Sequence, residues 1–166
     1  MVRENLRYYY RQGDTNQFKT YAALLNRYPG NANLVNFLRG KLNLDKGQFN
    51  AAYYYFYKSS QTENDYREES LYHLGMISMI HQKNNKLAIA YFTRLAAGDQ
   101  ADSIYIARAK INLSILYNET GNTEKSLSNL KEIHKGVSGA AIKIQAENLM
   151  RYFGDEAEIP VDTRGK

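Results

Sequence analysis

Polar breaks recur along the chain, and apolar residues repeat around them in a constant order. Segments 11–18 (RQGDTNQF), 45–52 (DKGQFNAA) and 119–126 (ETGNTEKS) each set a glycine between two stretches of helical apolar periodicity. Gly13 and Gly47 stand 34 residues apart. A residue just past a helix end often turns left-handed, which gives an ordinary side chain a Cβ clash and glycine none. The break at 82–85 (QKNN) lacks glycine, so Asn84 or Asn85 is expected to make that turn. Leu38 and Gly40, then Leu74 and Gly75, then Leu113, Ser114 and Tyr117 precede three of the breaks. Ala52 and Phe56, Ala88 and Phe92, and Ser126 and Leu130 follow them. A small residue with a large one four later shares a helix face, the small one admitting a neighbouring helix and the large one filling the space beside it. The pattern predicts helical hairpins, each with an apolar surface that the next hairpin completes.

The helices are expected near 2–12, 15–28, 31–45, 48–60, 65–82, 85–97, 102–119, 123–135 and 138–152. Charges support several ends. Glu63, Asp65, Glu68 and Glu69 crowd the start of the fifth helix, and His134 with Lys135 close the eighth, each sign suiting the helix dipole. The ninth carries Ile142, Ala146, Leu149 and Phe153 on one stripe and Lys143, Glu147 and Arg151 on the other side, as a helix closing an open end of stacked hairpins would. Residues 1–153 are thus expected to form one helical repeat domain, and 154–166 a polar, disordered tail.

These residues resemble the tetratricopeptide repeat family, whose 34-residue unit carries L-G-x2-Y in its first helix and A-x3-F in its second. The match rests on Leu74-Gly75, Leu113-Ser114 with Tyr117, Ala52 with Phe56 and Ala88 with Phe92, over roughly residues 1–136. The chain departs from the pattern in having no tryptophan, in inverting the small-large pair at Phe18 and Ala22, and in having Pro29 as its sole inter-repeat proline. The resemblance implies an all-α, right-handed α-solenoid of about four hairpins with a C-terminal capping helix. The junction at 24–42 (LLNRYPGNANLVNFLRGKL) looks like bacterial cell-envelope and secretion-associated members of the family. It implies an assembly or scaffold role.

In that family the first helices line a concave groove. By position, this face takes Arg3, Arg7 and Tyr10, then Phe37, Lys41 and Leu44, then Tyr72, Met76 and Met79, then Arg108 and Ile111. Cations at one end grade into aromatic and methionine surface, a combination suited to a peptide or protein segment with acidic residues beside bulky apolar anchors. The plainer reading is that Phe37, Tyr72 and Met76 pack between adjacent first helices. Family members that clamp a C-terminal carboxylate place cations where Glu69 and His73 fall here. Acid there repels a carboxylate, so that function is not carried over.

Tyr53 to Tyr57 form a continuous aromatic run in the fourth helix. Relative to Phe56, residues Tyr53 and Tyr57 are expected against the following hairpin, Tyr55 to the flank and Tyr54 outward, two residues turning about 200°. Ordinary packing accounts for most of the run. An outer contact patch at Tyr54 and Tyr55 is the alternative.

Composition narrows the function. The chain of 166 residues has no cysteine, which removes disulfides, cysteine-rich zinc sites and thiol nucleophiles. Its apolar runs are too short to span a membrane and its first dozen residues lack a signal-peptide core, so no membrane insertion is expected; cytoplasm and periplasm both fit. The formal net charge is +5, but residues 1–60 hold nine Lys/Arg against three Asp/Glu, whereas the rest holds thirteen against fourteen. The basic N-terminal third favours an acidic partner or is simply a solvated face.

No phosphate loop, H-E-x-x-H or nucleophile elbow occurs, so an enzyme is not expected and no cofactor is implied. Glu69, His73 and His81 lie at helical spacings that could share a metal, but two ligand types so spaced are commonplace, and no metal site is expected. Single-stranded nucleic acid is the lesser rival, because Arg3, Arg7, Arg11, Lys19, Arg27, Arg39 and Lys41 mix with Tyr8, Tyr9 and Tyr10 yet spread over several helix faces. The expected function is a non-enzymatic protein-interaction scaffold or adaptor. The alternative is a self-assembling repeat protein that stacks through an uncapped N-terminal hairpin.

Overall fold

The computed structural model describes residues 1–28, 30–98, 103–136 and 139–154. Among these there are nine α-helices and no strand: α1 (Val2–Gln12), α2 (Thr15–Leu25), α3 (Ala32–Asp45), α4 (Phe49–Ser59), α5 (Arg67–Ile80), α6 (Asn85–Ala96), α7 (Ile104–Glu119), α8 (Thr123–Gly136) and α9 (Ala140–Tyr152). Pro29 and the tail expected to be disordered, from residue 155 on, lie outside the described residues. No helix among them is long and apolar enough to cross a membrane.

The breaks work as the glycine spacing predicts. Gly13 (φ +69°) ends α1, its N–H donating to the Tyr10 carbonyl, while the Asp14 N–H reaches back to Tyr9. The Asp14 carboxylate then accepts from the Gln17 N–H at 3.0 Å and caps α2. Gly47 repeats the turn with the same φ, and Gly121 repeats it between α7 and α8. One residue turns the chain and the next starts the following helix.

The fourth break differs from expectation. Lys83, not Asn84 or Asn85, takes the positive φ, at +52°. The reason is that the Asn84 carboxamide accepts from the Leu87 N–H at 3.0 Å and so caps α6, which leaves the turn to the residue before it. A left-handed lysine costs about 1–2 kcal/mol, and part of that relief is offset by the added chain entropy of glycine in the unfolded state. Lys83→Gly should therefore raise stability by about 0.5–1 kcal/mol in urea denaturation; a loss of stability would contradict this account of the break.

Packing divides the chain into two compact units, Met1–Ala88 and a second beginning at Ile89, with the boundary inside α6. In the first unit α1 pairs with α2, α3 with α4, and α4 with α5. The small-large pairs form its centre: Phe18, Ala22, Ala52 and Phe56 are buried, as are Leu38, Leu74 and Gly75. Gly40 lies against the Phe56 ring, and the Ser59 hydroxyl of α4 donates to the Asn33 carbonyl of α3 at 3.1 Å.

In the second unit α7, α8 and α9 pack on one another around Ala107, Ile111, Leu130, Ile133, Ile142, Ala146 and Met150. The inward stripe of α9 thus includes Met150, with Leu149 and Phe153 only partly covered, a shift of one residue from the stripe expected. The buried Ser126 hydroxyl donates to the Ser114 carbonyl at 2.7 Å, tying α8 to α7. His134 near the end of α8 meets Glu147 of α9, Nε2 to Oε1, at 2.8 Å.

The tyrosine run needs one correction. Tyr54 is exposed, as expected, but so is Tyr57, at 46% of its surface, rather than packed on the next helix. Ser59 and Ser60, the latter just after α4, are the buried residues at this end.

Candidate functional site

Side chains of α1, α3 and the start of α5 meet in the first unit. Arg7 of α1 donates from Nη2 to the Tyr66 hydroxyl at 2.8 Å. Tyr66 immediately precedes α5, so this bond spans the width of α3. Beneath it the Tyr66 ring stacks on Phe37 of α3, with centroids 5.0 Å apart and planes at 21°.

Every cation that the spacing places on this face in the first unit has a partner. Arg3 donates to the Asn31 carboxamide at the start of α3. Lys41 donates to Glu69 at 2.9 Å and lies 5.4 Å from the Phe37 centroid. Both members of that ion pair keep about a quarter of their side chains exposed, at 30% and 21%. Water still screens such a pair, so its worth is order rather than large stability. The face is consequently a fixed alternation of charges: Arg3, Arg7 and Lys41 against Asp45 and Glu69.

Tyr10 donates to the Asp45 carboxylate at 3.0 Å. Burial, followed by that hydrogen bond and the Asp45 charge, pushes its phenol up to about 12. The folded protein thus holds this proton at pH values where an unfolded tyrosine, near 10, has lost it. The contribution is whole below pH 10 and is lost as pH rises toward 12. Tyr10→Phe should flatten the fall in urea midpoint over that window and remove a phenolate transition near pH 12 from an ultraviolet titration. An unchanged titration curve would place the perturbed phenol elsewhere.

Phe37 is buried, with 6% of its surface exposed, and supports the face from below rather than lining it. Tyr72, Met76 and Met79 on α5 are half-buried and supply the apolar part of the face. Arg108, in the second unit, is exposed on α7, while Ile111 on the same helix is buried in that unit's core. Tyr54 and Tyr55 meet edge to face with centroids 5.2 Å apart. Lys58 stands 4.7 Å from the Tyr54 ring centre and Arg39 stands 5.6 Å from that of Tyr55, so this outer pair is an aromatic step held between two cations.

Sequence spacing also joined Glu69, His73 and His81. His73 Nε2 lies 3.5 Å from Glu69, with its ring stacked on Phe56, whereas His81 stacks on Phe49 at 3.4 Å. Among the described residues no three His, Cys, Asp or Glu side chains converge as a metal ion needs. Two contributors to the face escaped the sequence reading, Tyr66 and Asp45. Tyr66 precedes α5 and Asp45 is the last residue of α3, so neither belongs to an apolar stripe, and only their partners across the fold reveal them.

The chain matches no protein-family model, and no curated protein aligns with it significantly.

Proposed function

We propose that the chain is a non-enzymatic interaction scaffold built on tetratricopeptide-like hairpins, and that it binds a segment of another protein along the face of α1, α3 and α5. The observation that carries this reading is the Arg7–Tyr66 bond, which joins α1 to the start of α5 beside Phe37 of α3 and gives that face a polar end. Hairpins of matching small-large pairs and repeated glycine breaks support the family resemblance and the solenoid that goes with it. The partner segment is extended or helical. Its acidic side chains meet Arg3, Arg7 and Lys41, and its bulky apolar anchors rest on Tyr72, Met76 and Met79, where methionine adapts to varied shapes.

Selection of random peptides on the immobilised chain tests this directly. Enriched peptides should pair Asp or Glu with Leu, Phe or Trp, and should bind an Arg7→Glu, Met76→Ala variant of unchanged helicity about 10-fold or more weakly, some 1.4 kcal/mol. Peptides without acidic residues, or equal affinity for the variant, would remove the face from the binding site.

A further inference from the structure

A second site lies on the opposite side of α3. Lys41 and Leu44 lie on the side of the α1, α3 and α5 face, whereas Asn43 and Lys46, with Arg39 one turn earlier, are set about 200° away. There an open cleft of about 480 Å3 runs between α2, α3 and α4. That volume suits a small organic ligand. Lys19 of α2, Arg39 of α3 and Lys46 at the end of α3 all line it, and no carboxylate does. None of the three makes an ion pair among the described residues. The carboxylates next to the cleft in sequence are engaged elsewhere, Asp14 in capping α2 and Asp45 on Tyr10.

The rest of the lining suits an anion with an organic body. Thr15, the first residue of α2, accepts from Lys46 Nζ at 3.1 Å and donates to the Gly13 carbonyl at 3.5 Å. Gln48, before α4, makes no side-chain cap, so the positive end of that helix also opens here. Phe18 forms a buried apolar floor, and Tyr55, beneath Arg39, forms an aromatic wall.

The charge does not follow from the repeat itself. Aligned on Gly13 with Gly47 and on Gly40 with Gly75, the positions of Lys19, Arg39 and Lys46 become Tyr53, Leu74 and His81 one hairpin further on. The cleft at that later place, about 520 Å3, is lined instead by Phe49 and the His81 ring stacked on it. The three cations are therefore not repeated at the corresponding place one hairpin further on.

We infer that the cleft between α2, α3 and α4 binds a small aromatic phosphate ester, with the phosphate on Lys19, Arg39 and Lys46 and the ring against Tyr55 and Phe18. This site and the α1, α3 and α5 face stand or fall separately, since they use opposite sides of α3. Calorimetric titration of the full chain with phenyl phosphate and with inorganic phosphate tests it. Phenyl phosphate should bind saturably and at least about 5-fold more tightly than inorganic phosphate, an advantage that Tyr55→Ala removes. Lys19→Glu with Lys46→Glu, both at exposed positions, should weaken phenyl phosphate at least about 10-fold with helicity unchanged. If those two substitutions impair folding, Lys19→Gln with Lys46→Gln gives the same comparison without charge reversal. No saturable binding up to about 10 mM, equal affinity for the two probes, or indifference to the lysine substitutions would overturn the assignment. Tighter, equally lysine-dependent binding of a single-stranded oligonucleotide would overturn it in favour of nucleic acid.

Discussion

Phe56→Ala should destabilise the protein by about 3–5 kcal/mol, the largest effect expected of any single substitution here. The ring is fully buried, with His73 stacked on it at 4.6 Å and Phe37 inclined to it at 6.2 Å. Its removal leaves a hole lined on one side by the α3 backbone at Gly40, and glycine has no side chain with which to fill it. Relaxation is limited for that reason. Urea unfolding followed by far-ultraviolet circular dichroism would show the loss as a lower midpoint with an unchanged slope. A cost below about 1 kcal/mol would mean that α3 and α4 do not meet through this ring.

Gly40→Val is the complementary case. A Cβ at residue 40 would come within 2.7 Å of Phe56 Cδ1 and Cε1, and the ring has no free volume into which to retreat. Overpacking of this kind costs about 1–3 kcal/mol, and a branched residue falls at the upper end. Glycine in a helix interior is itself unfavourable by about 1 kcal/mol relative to alanine, so at an open site the exchange Gly40→Ala would stabilise. Here it should destabilise, and the sign alone discriminates. Phe56→Leu, which withdraws the ring edge, should partly rescue Gly40→Ala, giving a coupling of about 1 kcal/mol or more in a double-mutant cycle. Additive effects would show that the two residues do not share this contact.

Much of the fold was legible because it rests on local rules. Helix bounds follow from glycine breaks and from alternating small and large residues, and those pairs occupy the interior from Ala22 to Leu130. The failures have equally local causes. Lys83 turned left-handed because capping by Asn84 took precedence over the general preference of asparagine for that conformation. Tyr57 was assigned inward from angular position alone, which does not register how much of its ring the neighbouring elements cover; nearly half of it is exposed.

The candidate site was legible as a set of positions and illegible as a set of charges. Periodicity placed Arg7, Tyr10 and Lys41 on one side of their helices, but their partners Tyr66, Asp45 and Glu69 lie 59, 35 and 28 residues away. No short-range pattern carries such pairing. The cationic cleft escaped for the same reason. Lys19, Arg39 and Lys46 read as scattered basic residues until α2, α3 and α4 bring them around one space.

The order of packing also bears on how the chain comes to be folded. The closest helix pairs are neighbours in sequence, α1 with α2, α3 with α4, α4 with α5, α7 with α8 and α8 with α9. Closing such short loops costs little chain entropy, and topologies dominated by near neighbours fold fast. A hairpin such as α3 with α4 has all of its own sequence once Ser59 has been added. During synthesis, partner helices therefore become available in the order in which they are needed, and few apolar faces wait long for the surface that covers them.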